Sequence, residues 1–418
     1  MHTELSALAA SPGGTADAVT PTRTQLDIEL ARKVLLQNYK QQPVVLVRGE
    51  GAWVWDAEGR RYLDLICGIA TCAMGHCHPV VVDAAQRQLA TLWHVSNVFY
   101  SEPQIALAER LTRASGLPGA RAFFCNSGAE ANEALIKAAR RTQHEVRHQR
   151  DRFEVITFEG GFHGRTLATV TATAQPKYQQ GFEPLPAGFR YAPYGDLEAL
   201  RRLVGPTTAA ILVEPIQGEG GVRPAPAGFL AALRALCTAS GVLLLVDEVQ
   251  TGIGRTGRPF AFQHDQVLPD AFSLAKSLAN GLPMGAMVCS DEVAQALPSG
   301  THGSTFGGNL VASAAACATW DLATSSAQLA ATEALGLRFR ELALAVQQRH
   351  PTKVKVVRGR GLLQGIEVGP TASEVVARCR QNGLLVNLAG EQTVRFAPAY
   401  VTTDAQLVEG LAIFERSL

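Results

Sequence analysis

Five consecutive apolar residues, Val242 to Val246, bounded upstream by Gly241 and followed at once by Asp247, constrain this chain more than any other feature. The run is too short for a helix and suits a strand buried on both faces, as in a parallel sheet. In open α/β sheets ligands sit beyond the carboxyl ends of the strands, so an acid there is either a buried ion or part of a site. Downstream, Ala271 to Leu274 repeats the pattern with the opposite charge and delivers Lys276 to the same edge.

Taken singly, Lys276 reads as a stem packed on apolar surface with its ammonium in water, and Asp247 as a helix cap or structural ion. Together they suit one chemistry. A lysine amine condenses with the aldehyde of pyridoxal phosphate, and a carboxylate near the pyridine nitrogen keeps that nitrogen protonated, so that the ring withdraws electrons. Such a cofactor also needs a phosphate cradle and a ring support. FFCNSGAEANEALIKAARR (Phe123 to Arg141) places Asn126, Ser127 and Gly128 between a strand and a helix, whose free amides suit a phosphate dianion; by itself the turn is an ordinary capped helix start. GSTFGGN (Gly303 to Asn309) is a second glycine-rich loop opening a helix, with hydroxyls at Ser304 and Thr305. FEGGFHGRT (Phe158 to Thr166) frees Phe162 to lie over a flat ring and adds Arg165, a guanidinium suited to a carboxylate.

The rest of the chain alternates short strands with helices. Strands are expected at Ala120 to Cys125, Glu154 to Phe158, Ala209 to Val213, Val242 to Val246, Ala271 to Leu274 and Met284 to Cys289, the pattern of a mostly parallel sheet covered by helices. An amphipathic helix is expected at Gln25 to Tyr39, then a small β-meander from Val44 to Leu65, and helices at Pro79 to Leu92 and Pro103 to Ser115. A long helical region, about Asn309 to Arg349, precedes α+β material up to a closing helix from Thr403. At 418 residues and 47% hydrophobic the chain has enough length for two domains. A net charge of +1 with interspersed signs excludes a basic nucleic-acid face, and no apolar run reaches a membrane span. The first residues are small and polar, unlike a signal peptide, and the eight cysteines form no disulfide-like framework, so a cytoplasmic enzyme is expected. Cys67, Cys72, His76, Cys77 and His78 cluster in sequence, but their spacing is not that of a zinc site, and no metal is expected.

With these pieces assembled, the sequence resembles the class III (subgroup II) pyridoxal-phosphate aminotransferases of fold type I, and within them the N-acetylornithine and succinylornithine enzymes. The resemblance runs from about Gln25 to the end, through YLDLICGIATCAMGHCHP, LWHVSNVFY, FFCNSGAEANEALIKAAR, FHGRT, EPIQGEGG, LLVDEVQTGIGRTG, LAKSLANGLPMGA, THGSTFGGN and VRFAP. It implies an α/β large domain, residues 75–315, with a mostly parallel seven-stranded sheet covered by helices. A smaller α+β domain would combine residues 25–74 and 316–418, after a disordered tail at residues 1–24.

The resemblance also implies roles. Lys276 would carry the cofactor and act as general acid/base, Asp247 would hold the pyridinium proton, Gln250 would approach the phenolic oxygen and Phe162 would stack on the ring. Ser127, Gly128 and Ala129 would bind phosphate, with Thr305 reaching it from the neighbouring subunit of a homodimer; Ser304 of the same loop is assigned to substrate. Arg165 would hold the carboxylate distant from the reacting amine. Arg395 would take the α-carboxylate of glutamate, and Glu219 would neutralise Arg395 when the other substrate is bound. The implied reaction moves the ω-amino group of an N-acylornithine, N-acetylornithine first, to 2-oxoglutarate. Succinylornithine, ornithine and 4-aminobutyrate stay open as donors, since the acyl pocket has no decisive signature. Ser277 and Asn280 stand where many relatives have alanine and glycine, and Ala399 where a second proline is common. A related aminomutase would use the same lysine and acid without a 2-oxoacid, and a nucleotide-binding oxidoreductase lacks its GxGxxG.

Overall fold

The computed structural model describes residues 21–418. Most of the expected tail therefore lies outside the described residues, and its last positions are ordered by a capping box. The Thr22 side chain accepts from the Gln25 amide, and the Gln25 side chain accepts from the Thr22 amide, opening a helix at Arg23–Val34. That helix stops short of the expected Tyr39. The Gln37 side-chain amide donates to the carbonyls of Leu35 (2.8 Å) and Ala31 (3.4 Å), taking acceptors that a further turn would need.

The chain divides into two compact units, the first running to Arg48 and resuming at Trp55–Arg61, the second comprising Gly49–Val54 and Tyr62–Leu418. In the first, Glu58 accepts from the amide (2.8 Å) and hydroxyl (2.6 Å) of Thr24, and Arg48 lies over the Trp55 ring.

The second unit is built on a seven-stranded sheet. Across it the order is Arg121–Cys125, Gly285–Cys289, Ala271–Leu274, Leu243–Asp247, Thr208–Val213, Glu154–Phe158 and Phe189–Ala192. Only Gly285–Cys289 runs antiparallel to its neighbours. Six strands lie within about a residue of their expected positions. The seventh, Phe189–Ala192, is a four-residue edge strand whose outer positions stay partly exposed, so it lacks the apolar run that marks the others. Register then decides the site: Asp247 pairs with Ser273, three residues before Lys276, so acid and amine leave adjacent parallel strands at the same edge.

A further core follows chain order less closely. Leu63, Leu65 and Ala52 pack with Phe339, Val357, Ile366, Phe396 and Phe414 in a hydrophobic cluster drawn from both ends of the chain. Within it, Thr393–Phe396 lies between Leu363–Glu367 and Asn387–Ala389, setting Arg395 opposite both Gly365 and Asn387. The expected long helical region is two helices, Leu310–Ala323 and Ser326–Arg349, divided where the Ser325 hydroxyl caps the second by accepting from the Gln328 amide. Neither Thr324 nor Ser325 is a strong breaker, so periodicity runs through the joint.

Gly336 sits inside the second of these helices, buried against the backbone of Gly361, where an added Cβ would collide with the carbonyl. Gly336→Ala is expected to cost about 1–3 kcal/mol by overpacking despite its better helix propensity. Thermal melting checks this; an unchanged or raised Tm would show that the turn at Gly361 yields freely.

Candidate active site

At the edge where the two strands end, Asp247 is only 4% exposed. A carboxylate so deeply buried must be compensated. Its Oδ2 accepts from Asn132 Nδ2 and His163 Nδ1, each at 2.8 Å, and its Oδ1 accepts from the Val249 amide at 3.0 Å. Asn132 also donates to the His163 carbonyl, which ties the three groups together. Burial opposes the charge on Asp247, yet the hydrogen bond and charge of His163, with Val249 and Asn132, hold its pKa below the usual value. Burial likewise opposes the imidazolium of His163, and the bond and charge of Asp247 outweigh it, so that pKa is raised.

Lys276 follows the neighbouring strand in the left-handed region, φ 42°. Burial is the main cause that lowers its pKa, with Arg395 adding to the effect and Glu219 and Asp247 opposing it. Its loop is latched at both departures from the family pattern. Ser277 donates to the Ala70 carbonyl at 2.9 Å. Asn280, at φ 49°, accepts from the Met74 amide (2.8 Å) and donates to the Gly75 carbonyl (3.1 Å), so a residue at a glycine-like backbone position also holds the GHCHP loop.

Between these groups lies a cavity of about 390 Å³ whose lining includes Ser127, Gly128, Phe162, Asp247, Gln250 and Lys276. Ala129 and Arg165 also border it. Ser127 caps the helix Gly128–Arg141 by accepting from the Glu130 amide, and the first intrahelical bond comes from Ala131, leaving the amides of Gly128 and Ala129 available at the positive end of the helix. A Cβ at Gly128 would press on Val249 at 2.8 Å, so only glycine keeps this wall in place. The donor set fits pyridoxal phosphate: a buried anion with one oxygen bonded only to an amide, an amine of lowered pKa, free helix-start amides and a half-buried phenylalanine.

Two guanidiniums stand differently relative to the cavity: Arg165 borders it, whereas Arg395 and Glu219 lie outside its lining and Arg395 meets it through Gln250. Arg395 is fully buried; its Nη1 donates to Glu219 and, at 3.0 Å, to Gln250, and its Nε donates to Asn387 at 3.1 Å. Its Nη2 has no partner among the described residues. Burial raises the pKa of Glu219, but Arg395 and Lys276 more than offset this and lower it. Arg165 is exposed, 4.0 Å from the Tyr178 ring centroid and 5.4 Å from that of Phe162. Ser304 lies outside this cavity, accepting from Asn126 Nδ2 at 3.2 Å, and Thr305 is exposed beside it.

Three site groups escaped the sequence. His163 lies inside FHGRT and Asn132 in the phosphate-side helix, but nothing local says that both turn toward an aspartate at position 247. Glu214, the first residue of EPIQGEGG, accepts from the amides of Phe162 (2.8 Å) and Gly218 (3.2 Å); burial raises its pKa to about 7. In the cysteine-rich segment His76 bonds Asp64 at 2.8 Å, which raises its pKa to about 10, and no group of three or more metal-binding side chains occurs among the described residues.

The His163–Asp247 pair has a pH signature. A lowered Asp247 pKa stabilises the fold above about pH 3.9, its unfolded value, and the contribution fades as pH falls through the folded value. A raised His163 pKa stabilises below about pH 6.5 and the contribution fades as pH rises through the folded value. The Tm deficit of His163→Gln is therefore expected to be largest between about pH 4 and 6.5. A deficit independent of pH would mean that the ring matters only as packing.

Comparison with known proteins agrees with this geometry. The family model for class III aminotransferases matches residues 35–418. An acetylornithine aminotransferase of Myxococcus xanthus is 58% identical over 391 residues, covering 93% of this chain and 97% of that one. One from Methanocaldococcus jannaschii is 46% identical, covering 90% and 93%. Among solved structures, an ornithine aminotransferase of Toxoplasma gondii superposes with a TM-score of 0.90 at 34% identity over 96% of both chains, and the N-acetylornithine aminotransferase of Stenotrophomonas maltophilia with 0.80 at 37% over 93% and 98%. The chain belongs to the class III aminotransferases, enzymes that depend on pyridoxal phosphate.

Proposed function

We propose that this enzyme transfers the ω-amino group of N-acetylornithine to 2-oxoglutarate, yielding N-acetylglutamate semialdehyde and glutamate in two half-reactions. The observation that carries this reading is the buried Arg395–Glu219 pair with one guanidinium nitrogen unpartnered. While the donor is bound, Glu219 neutralises Arg395; when glutamate or 2-oxoglutarate arrives, Glu219 gives way and Arg395 takes the α-carboxylate in a two-point contact. Arg165, exposed at the cavity's rim, takes the carboxylate remote from the reacting amine. An aminomutase would have no use for such a switch. The names of the relatives support the acylated donor, and ornithine is the next to test.

When bound, pyridoxal phosphate supplies an aldehyde that captures the donor amine and a ring that takes up the electron pair of the broken C–H bond. Lys276, uncharged more readily because it is buried, moves the proton at the substrate carbon. Asp247, fixed by His163 and Asn132, would hold the proton on the ring nitrogen. Phe162 would cover the ring, Gln250 would approach the phenolic oxygen, and Ser127, Gly128 and Ala129 would take the phosphate at the helix start.

The active unit in this reading is a cytoplasmic homodimer, with a large domain at residues 75–315 and a small one joining residues 25–74 and 316–418. The cluster uniting Leu63 and Leu65 with Phe396 and Phe414 supports that division. Exposed Trp93, Val98, Phe99, Tyr100 and Phe306 form apolar surface around the loop bearing Thr305 and Ser304, and Asn97 donates to the carbonyls of Ser304 and Gly307 there. A second copy covering this face would receive Thr305 at its phosphate.

Lys276→Ala is expected to fold and to lower turnover with N-acetylornithine and 2-oxoglutarate by at least about 10⁴-fold; catalysis near the wild-type rate would remove Lys276 from the scheme. Glu219→Ala should raise the KM for N-acetylornithine about tenfold while leaving glutamate nearly unaffected. Equal losses on both substrates would count against the switch. Ranking kcat/KM for N-acetylornithine, N-succinylornithine, ornithine and 4-aminobutyrate decides the donor.

A further inference from the structure

Among the fully buried large side chains, Arg255 is a guanidinium that the chemistry above does not use. It belongs to the segment that continues from Asp247 and Gln250, and it reaches across to the segment that continues from Arg395. Its Nη1 donates to the Pro398 carbonyl at 2.6 Å and to the Leu362 carbonyl at 3.4 Å, while its own carbonyl accepts from the Leu362 amide at 2.9 Å. Its Cζ lies 4.6 Å from the Tyr400 ring centroid, and the Tyr400 hydroxyl returns a bond of 2.8 Å to the Ile253 carbonyl. An added Cβ at Gly361 would lie 2.6 Å from the Arg255 carbonyl, so the approach depends on glycine at φ 54°.

We propose that Arg255 is a positioning residue for Arg395: its clamp on Pro398 and Tyr400 sets where the carboxylate-binding guanidinium stands relative to Gln250 and Lys276. Three observations converge on this. Nε and Nη2 of Arg255 have no partner among the described residues, so this is a costly residue to bury if it served only packing. Its acceptors are Pro398, three residues after Arg395, and Leu362, which adjoins the strand pairing Gly365 with Arg395. Gln250, five residues before Arg255, is itself bonded to Arg395, so one loop grips the arginine's strand at two points. A rotation of that strand by a fraction of an ångström is enough to misplace a two-point carboxylate contact.

The inference rests on the reading of Arg395 as the α-carboxylate group, and the test separates the two. In the holoenzyme, Arg395→Lys should raise the KM for 2-oxoglutarate by about tenfold or more; if it does not, the reading of Arg395 fails, whatever Arg255 does. Given that rise, Arg255→Met, which removes the clamp while filling the volume with an apolar chain, is expected to raise the KM for 2-oxoglutarate about tenfold. The KM for the amine donor should stay within about twofold and kcat within about threefold, because Glu219 shields Arg395 from the donor. Arg255→Lys keeps a charged donor for the Pro398 carbonyl but loses the planar guanidinium that lies over the Tyr400 ring, so it should recover part of the loss, leaving about a threefold rise. If the methionine variant yields no folded protein, the lysine variant decides: a rise confined to 2-oxoglutarate supports the clamp. A KM for 2-oxoglutarate within twofold of wild type in the folded variants, or equal losses on both substrates, would overturn it and leave Arg255 a structural residue.

Discussion

The proposed chemistry depends on keeping one carboxylate ionised where water cannot reach it. Asp247 stands at the end of a strand with no exposed residue, and moving such an anion out of water costs several kcal/mol unless other groups replace the lost solvation. His163, Asn132 and the Val249 amide replace it, and each is contributed by a different part of the fold. The sheet buries the acid, the turn after Phe158 supplies the imidazole, and the phosphate-side helix supplies the amide. The same helix therefore serves both ends of the cavity, its first residues lining it with free amides and its second turn bonding the buried acid.

The amine opposite is tuned by the converse arrangement. Burial lowers the pKa of Lys276, and of its charged neighbours Arg395 acts with burial while Glu219, Asp247 and Glu214 oppose it. An unpaired Glu219 would favour the ammonium; an unpaired Arg395 would suppress it further. The ion pair proposed to let one cavity receive two unlike amines thus also acts on the lysine, its two members in opposite directions. Arg255 extends this logic into the scaffold, since the strand carrying Arg395 is held against the loop after Asp247 by bonds to its own backbone.

Local exceptions to sequence rules cluster around the same edge. Asn280 occupies a left-handed position where glycine would be the unstrained choice, and its side chain offsets that cost by bonding both sides of the loop at Met74 and Gly75. Lys276 itself is left-handed, which turns its side chain away from the path of the strand. Ala399 is fully buried between Pro398 and Tyr400, the two residues that Arg255 holds.

Periodicity and turn chemistry alone determined that short apolar strands deliver Asp247 and Lys276 to one sheet edge, because a buried parallel strand announces itself by an unbroken apolar run. The motif order from FFCNSG to VRFAP likewise carried the family and the cofactor, since each motif is local in the chain. Tertiary structure decided the rest. Phe189–Ala192 is a strand only because Glu154–Phe158 lies beside it, and Ser325 divides a helix only because the packing turns there. His163, Asn132, Glu214 and Arg255 are invisible to local patterns because their partners lie far along the chain, and a side chain's electrostatic surroundings are a property of what folding brings near it.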